Sequence, residues 1–279
     1  MLFRSNSYVG GSEHSIMHLL FARFIGHFLY KEHYVSNPEP FDYLITQGMV
    51  QSETYVNKVT KGYEKPEDVE KRGKQLYKKG TNEKVEVKYI KMSKSKHNGV
   101  DPVDVIKQYG SDVVRIAMLM QCPPSNPFLY NKSIMIPAKD ILTHCEKVCE
   151  ICMKKENPKG TKFNETEICK TNNKIIHDME AFSFHNVITN IYIMLTFLEQ
   201  ATYSTKVLQY TKNALLFLAP FAPIKTEELW NDLIQAKCIP SSESFEKQTW
   251  PKEQSVSTVT AVIQVERNDY ELMYRLKER

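Results

Sequence analysis

Two lysines three positions apart, Lys91 and Lys94, have the chemistry needed to bind a polyphosphate. They belong to the segment Lys91-Met92-Ser93-Lys94-Ser95, in which core packing does not explain either ammonium group. A flexible loop lets both cations reach phosphate oxygens, and its Ser hydroxyls and backbone N–H groups donate further hydrogen bonds. Preorganised cations of this kind stabilise the charge that develops on a leaving pyrophosphate. A solvated lysine-rich loop is the alternative, but the five-residue string between a strand and a helix favours a phosphate site.

A second segment, Gly10-Gly11-Ser12-Glu13-His14, combines paired glycines with an acid and a histidine at the start of a helical pattern. Paired glycines let the backbone come close to a ligand. Glu13 is then placed to accept hydrogen bonds from ribose-like hydroxyls, and His14 and His18 share one helix face. A helix cap with two half-buried histidines explains the same pattern equally well. No zinc site is predicted, because a third ligand is missing and the spacing differs from His-Glu-x-x-His.

The elements around these segments follow from the apolar periodicity of the chain. Apolar residues at helical spacing predict an amphipathic helix over 11–34, with Ser12 as a candidate N-cap. A short apolar run within 40–50 predicts a buried strand. Residues 51–88 are rich in Lys, Glu, Gly and Thr and show little periodicity, which indicates a surface insertion of low internal order.

Alternation and capping signals place the phosphate loop between a strand and a helix. Val85, Val87 and Tyr89 alternate with charged residues, as in a half-exposed strand that leads directly into the loop. Asp101 can then cap a helix that has Pro102 in its first turn.

The rest of the chain has the pattern of a helical bundle. Pro220 and Pro223 set a corner between the last two helices, and an alternating piece over 258–265 predicts one strand without partners. The predicted helices cover 136–154, 168–201, 206–219 and 224–236.

The composition fits a folded protein in a reducing compartment. The chain has 279 residues, 42% hydrophobic and 25% charged, which excludes disordered and collagen-like classes. Six scattered cysteines do not resemble a disulfide framework. No apolar run is long enough to span a bilayer, so no membrane partner is predicted. The net charge of +4 is compatible with a nucleic-acid partner without proving one.

Together the two chemical segments resemble class I aminoacyl-tRNA synthetases, and the leucyl enzymes most closely. In that family a Gly-Gly-x-Glu-His segment, matched by Gly10 to His14, opens a helix in the second half of the nucleotide-binding fold. Residues 44–50 are similar to the strand that the family places beside adenine, and residues 91–95 match the mobile phosphate loop in every position. Further similar segments follow in the family's order at 19–24, 96–102, 218–223 and 227–230.

The resemblance implies an α/β fold, the second half of a Rossmann-like class I synthetase catalytic domain, followed by an all-α helical bundle that binds tRNA. The implied domain limits are 1–50 for the nucleotide-binding half, 51–90 for a surface insertion, 91–135 for the phosphate loop and connecting helices, 136–255 for an anticodon-binding-type helical domain, and 256–279 for the start of a small C-terminal domain.

The implied activity is ATP-dependent activation of leucine and transfer of the leucyl group to tRNA-Leu, with Mg²⁺ accompanying ATP. Lys91 and Lys94 would stabilise the transition state in which pyrophosphate leaves, with Lys94 making the direct phosphate contact. His14 and His18 would edge the leucine pocket. By position, the residues implied to contact ATP or the adenylate are Gly10, Gly11, Glu13, His14, Gln47, Gly48, Met49, Val50, Met92, Ser93 and Ser95.

The sequence also departs from the family's pattern. The first catalytic motif of the family, His-x-Gly-His, has no match: Phe24-Ile25-Gly26-His27 looks similar, but it begins with Phe and lies inside the matched helix. The first half of the nucleotide fold and the editing domain are not matched either. We therefore expect a partial chain, with a separate N-terminal half as partner if the short chain is a genuine product. Residues 91–102 favour the mitochondrial matrix as location, or the cytoplasm for a bacterial source.

Two alternatives belong to other functional classes. The helical part could serve as a non-catalytic tRNA-binding or interaction module. Cys145, Cys149 and Cys152 have the spacing with which radical S-adenosylmethionine enzymes hold an iron–sulfur cluster. The same spacing also defines one buried face of a helix, which is the commoner place for free cysteines.

Overall fold

The computed structural model describes residues 5–255, 260–264 and 273–277, the last two ranges and Ser5, Ser12, His14 and Ser15 without their side chains. Its first part is a strand–helix–strand unit. Strand β1 (Ser5–Gly11) pairs in parallel with β2 (Phe41–Gln47), and helix α1 (Ser12–Lys31) connects them. A helical crossover is the usual way to join two parallel strands.

Helix α1 presents its apolar side chains to solvent. It begins at Ser12 with Gly11 as the N-cap residue and no side-chain cap, so the expected cap at Ser12 is wrong. Ile16, Leu20 and Phe24 repeat at i, i+4 and are 77%, 70% and 68% exposed. Helix α1 therefore has the predicted apolar side, but no described element covers that side.

Strand β2 is present as expected, but it is not buried. Tyr43 is 62% exposed and Leu44 is 44% exposed, because β2 pairs only with β1 among the described strands. A two-stranded sheet with one helix cannot cover both of its faces.

Residues 50–91 form a well-paired sheet, which we call the insertion sheet, so the expected low internal order is wrong. Five strands follow the order β4-β3-β7-β6-β5, and every neighbouring pair is antiparallel. A short strand β8 (Phe128–Tyr130) adds to β3 in parallel. The five strands are β3 (Val50–Asn57), β4 (Tyr63–Glu64), β5 (Val69–Arg72), β6 (Gln75–Lys78) and β7 (Lys84–Lys91).

A buried polar network holds this sheet together. The Nδ2 of Asn57, which is fully buried, donates to Glu64 at 3.0 Å and to Glu83 at 2.7 Å. The Nζ of Lys78 donates to the same Glu64 oxygen at 3.1 Å. Because hydrogen bonds among polar side chains satisfy this core, the segment lacks the apolar periodicity by which strands are recognised in a sequence.

The turn after β7 leads into two short helices, α2 (Pro102–Tyr109) and α3 (Ser111–Leu119). The predicted cap is confirmed: Asp101 accepts a hydrogen bond from the Val103 N–H at 2.8 Å, and Pro102 occupies the first turn. The side chain of Arg115, on α3, donates to the carbonyl oxygens of Phe221 and Pro220. Helix α3 is thereby fixed to the proline corner predicted between the last two helices.

The helical bundle contains most of the hydrophobic core. The predicted helix over 168–201 is in fact two helices, since Phe182 takes a left-handed conformation (φ 55°) between them. The bundle helices are α4 (Met135–Lys154), α5 (Glu165–Glu180), α6 (Phe184–Gln200), α7 (Thr205–Leu218) and α8 (Pro223–Gln235).

Near the end of the chain, β9 (Thr260–Gln264) pairs antiparallel with β10 (Met273–Lys277). The strand expected over 258–265 therefore has a partner, and the prediction that it lacks one is wrong. Within the described ranges no helix combines the length and the apolar character needed to cross a membrane.

Replacing Trp230 by Ala is expected to lower the free energy of unfolding of the bundle by about 3–5 kcal/mol. Trp230 is fully buried, its Nε1 donates to the Glu243 carbonyl at 2.9 Å, and its ring packs on Phe245. Urea denaturation followed by far-UV circular dichroism measures the change. Trp250→Ala is the matched control: Trp250 is 40% exposed, so we expect a loss of about 1 kcal/mol. Equal losses for the two variants would contradict this assignment of the core.

Candidate nucleotide site

The end of β1 brings the paired glycines against the end of β2. Gly10 lies opposite Thr46 and Gly11 lies opposite Gln47 in the parallel pair. Helix α1 starts at the next residue, so its free N–H groups open toward the same end of the sheet. A ligand with negative charge is favoured at such a helix start.

Gly48 follows β2 at a point where two backbone segments touch. A Cβ placed on Gly48 would lie 2.0 Å from the carbonyl oxygen of Asn126. The Gly48 N–H donates to Pro124 at 2.8 Å, and the Phe128 N–H donates to Met49 at 3.1 Å. Gly48 therefore has a packing role that accounts for its presence apart from any nucleotide.

One ion pair connects the phosphate loop (residues 91–95) to the glycine segment (residues 10–14). The Nζ of Lys91, at the end of β7, contacts the Oε1 of Glu13 in the first turn of α1, although 78 residues separate them. The Met92 N–H donates to the Val50 carbonyl at 3.0 Å, which sets the loop beside the segment predicted to line adenine. The structure thus joins the three predicted segments, 10–14, 47–50 and 91–95.

Lys94 lies in a 3₁₀ turn over Lys94–Lys96 and is exposed to solvent. No acidic side chain among the described residues pairs with it, whereas Lys91 is bound to Glu13. Lys94, Lys65 and His97 line an open groove of about 660 Å³ between the loop and the insertion sheet. Of the two predicted cations, Lys94 is the one available to a phosphate.

Hydrogen bonds inside the loop hold its serines in place. The Oγ atoms of Ser93 and Ser95 lie 3.2 Å apart, and the Lys96 N–H donates to the Ser93 carbonyl at 3.2 Å. His97 closes the turn in a left-handed conformation, with φ of 53°.

One residue that supports the loop was not predicted. The side-chain amide of Asn98, 6% exposed, accepts from the Ser93 N–H at 2.9 Å and donates to Thr54 on β3 at 2.7 Å. Asn98 follows the phosphate loop closely in the sequence, and this position could have indicated that its amide supports the loop. Its partner Thr54 lies 44 residues away, and no local pattern identifies it.

The two histidines predicted for the leucine pocket lie on α1, and the residues predicted to line adenine lie at and just after the end of β2. The side chain of His14 lies outside the described part of the structure. His18 is exposed on α1, and Gln47 is exposed at the end of β2. Met49 is 37% exposed next to Val50.

The segment Phe24-Ile25-Gly26-His27 has structural contacts that explain it. The His27 Nε2 lies 3.4 Å from the Oε1 of Glu39, and Arg23 donates to both oxygens of the same carboxylate. A Cβ on Gly26 would lie 3.1 Å from the Pro38 carbonyl oxygen, so glycine lets this loop pack on α1.

Cys145, Cys149 and Cys152 lie on the buried face of α4 and belong to the hydrophobic core. A hydrogen bond with Cys145, together with burial, raises the pKa of Cys149 well above its usual value, and burial raises the pKa of Cys152 to about 11. None of the three cysteines is more than 1% exposed, so a cluster bound by them would be enclosed in the helical core and could not reach a substrate. The iron–sulfur alternative is therefore wrong.

Two family models match the chain. A model of the anticodon-binding domain of tRNA ligases covers residues 164–277, and a model of class I tRNA synthetases (I, L, M and V) covers residues 74–126. The first model overlaps the expected helical domain, 136–255, and extends into 256–279. The second overlaps the expected loop region, 91–135, and includes residues 74–90 of the expected insertion.

Leucine–tRNA ligases match the chain over most of its length. The enzyme of Borrelia hermsii is 34% identical over 248 residues, which are 88% of this chain and 28% of that protein. The probable mitochondrial leucine–tRNA ligase of Mus musculus is 32% identical over 251 residues, covering 81% of this chain and 27% of its own length. The chain thus spans less than a third of the relatives it matches.

A solved structure has the same fold. The ternary LeuRS–tRNA–LeuAMS complex from Agrobacterium radiobacter K84 covers 98% of this chain and 32% of its own, with a TM-score of 0.68 and 22% identity. At that identity the likeness shows the fold.

Proposed function

We propose that this chain, a member of the leucine–tRNA ligase family, binds ATP between its glycine segment and its phosphate loop and takes part in leucine activation and in leucyl transfer to tRNA. The observation that carries the proposal is the ion pair between Glu13 and Lys91. This ion pair brings the glycine segment and the phosphate loop, each suited to bind one part of ATP, into contact.

We assign a role to each residue from its position in the structure. Gly10 and Gly11 leave the backbone open to the nucleotide, and Glu13 accepts from ribose while it orients Lys91. The segment 47–50 lines the adenine. Lys94 stabilises the charge on the departing pyrophosphate. In this arrangement Lys91 contributes positive charge from a fixed position, and Lys94 approaches from the exposed turn.

Mg²⁺ would enter the site with the phosphates of ATP. Among the described residues no group of three or more His, Cys, Asp and Glu side chains is arranged to hold a metal ion. Mg²⁺ often binds through substrate phosphates and retains several of its waters, so a protein cage is not required. Bound Mg²⁺ would neutralise charge on the phosphates, and we assign no protein ligand to it.

The proposed nucleic-acid partner is tRNA-Leu. Residues 71–96 hold ten Lys or Arg and two acidic residues, an excess of eight positive charges in a chain whose net charge is +4. This charge lies on the insertion sheet and the phosphate loop rather than on the bundle. We therefore expect binding of tRNA to weaken as salt rises, because bound cations release counterions from phosphate.

The exposed apolar side of α1 supports a further partner, the rest of the nucleotide-binding fold. Ile16, Leu20, Phe24 and His27 line a groove of about 500 Å³ along the helix. Covering this side, and the edge of β1 that pairs with no other described strand, would complete a parallel sheet with helices on its faces. We call the chain together with that completing part the assembled ligase, whether the part belongs to the same polypeptide or to another.

The limits of the functional regions and the location are also proposals. The sheet over 50–91 supports a separate insertion within 51–90, and the bundle supports a helical region within 136–255. The mitochondrial matrix is the proposed location for a eukaryotic source, in line with the mouse relative, and the cytoplasm for a bacterial one.

Charging of tRNA tests this function. The assembled ligase is expected to attach labelled leucine to tRNA-Leu when ATP is present. A non-catalytic tRNA-binding module makes the opposite prediction: salt-dependent tRNA binding without any charging. Charging by the assembled ligase would reject the module, and binding without charging would reject the ligase.

A further inference from the structure

The side chain of Asn98 is buried directly behind the phosphate loop. Its Oδ1 accepts from the Ser93 N–H at 2.9 Å, and its Nδ2 donates to the Thr54 Oγ1 at 2.7 Å. The same Nδ2 lies 3.3 Å from the carbonyl oxygens of Ile90 and Lys91. One amide group therefore contacts the loop, the end of β7 and the middle of β3.

The hydroxyl oxygen of Thr54 accepts the hydrogen bond from this amide. It is 1% exposed, and its hydroxyl proton is used in a hydrogen bond to the Ser52 carbonyl at 3.0 Å. The hydroxyl oxygen is then left with its acceptor side toward Asn98. Loss of either partner leaves a buried polar group without its hydrogen bond, which is costly.

We infer that Asn98 is a positioning residue that ties the phosphate loop to β3 and β7 through Thr54 and so sets where Lys94 stands relative to ATP. The inference rests on the proposed function, because it concerns the same ATP site. Between the fixed points Ser93 and Asn98, the turn Lys94–Lys96 is left as the part of the loop that can follow the phosphates.

The position requires both halves of an amide. Asn98→Asp keeps the size of the side chain and can still accept from Ser93, but its carboxylate cannot donate and faces three oxygens. Thr54→Val removes the acceptor while keeping the shape. Thr54→Ser retains the hydroxyl and is the matched control for both.

Limited trypsin digestion of the full chain tests this clamp, the hydrogen bonds of Asn98 with Ser93 and Thr54, without any enzymatic activity. Cleavage after Lys94 and Lys96 is expected to become roughly tenfold faster in Asn98→Asp and Thr54→Val, and to stay within about twofold in Thr54→Ser. Cleavage after Lys74, in the turn between β5 and β6, is the internal reference and should not change, which distinguishes loop release from general unfolding. Unchanged cleavage at the loop in both variants would overturn the inference.

Steady-state kinetics of the assembled ligase tests the consequence for catalysis. Asn98→Asp is expected to lower kcat of pyrophosphate exchange and raise KM for ATP by about tenfold each, with KM for leucine unchanged, and Thr54→Ser should retain the original values. The double variant of Asn98→Asp and Thr54→Val should cost no more than the larger of these two single changes, each measured alone. Additive losses, or equal changes in KM for ATP and leucine, would overturn the positioning role. Absence of exchange in the unaltered ligase would instead reject the proposed function, and the digestion result would still decide whether the clamp exists.

Discussion

Lys94→Ala is expected to lower kcat for leucine-dependent pyrophosphate exchange in the assembled ligase by about 100- to 1,000-fold, the usual cost of removing one preorganised donor. Lys94 is exposed and makes no ion pair with an acid among the described residues, although Glu67 and Asp101 line the same groove, so its ammonium group can reach the phosphates. Because the developing charge appears in the transition state, KM for leucine should change by less than about threefold. Initial-rate measurements over a range of leucine and ATP concentrations separate the two constants.

Lys96→Ala is the matched control for this prediction. Lys96 lies in the same 3₁₀ turn, and its Nζ stands over the ring of Tyr63 at 6.0 Å. Its removal takes the same charge from the same loop without removing the proposed phosphate contact, so kcat should stay within about threefold. An unchanged kcat in Lys94→Ala, or equal losses in the two variants, would reject the role of Lys94.

Gly48→Ala is expected to reduce pyrophosphate exchange by roughly 100-fold, because a displacement of about 1 Å at a site can cost that much. The new Cβ would lie 2.0 Å from the Asn126 carbonyl oxygen and 2.5 Å from the Pro127 nitrogen. Both neighbours are backbone, so the segment that follows β2 must move away from residues 124–128. Overpacking of this kind should also lower the free energy of unfolding by about 1–3 kcal/mol. Exchange assays and thermal unfolding measure the two effects.

Gly99→Ala is the control for the effect of adding a methyl group near the loop. A Cβ on Gly99 would have its nearest neighbour 3.8 Å away, at Ser93, which is ordinary contact. We expect exchange and stability close to those of the unaltered protein. If Gly48→Ala behaves like Gly99→Ala, the close approach at Gly48 does not position the site.

The chemical segments could be predicted because their signals are local. The loop 91–95 follows an alternating strand and precedes a helix that begins with Asp101 and Pro102, and each of these signals lies within a few residues. The corner at Pro220 was predictable for the same reason. Local patterns also gave the strand β2, although they could not show that it lacks cover.

The errors arose where distant side chains decide the structure. Asn57, Glu64 and Glu83 build a polar core for the insertion sheet, and no periodic pattern marks it. The break at Phe182 is a single left-handed residue inside a long helical pattern. Asn98 required its partner Thr54 from another strand before its role could be recognised. In each case the information lies in tertiary contacts rather than in neighbouring residues.

We propose that the glycine segment and the phosphate loop form one ATP site for leucine activation. Leucine-dependent exchange of labelled pyrophosphate into ATP by the assembled ligase is the most direct test. We predict exchange that requires leucine, that isoleucine or valine supports less well, and that Lys94→Ala lowers by about 100- to 1,000-fold. Exchange that is absent from a folded assembled ligase, or that persists without leucine, would show that these two segments do not form an ATP site for leucine activation.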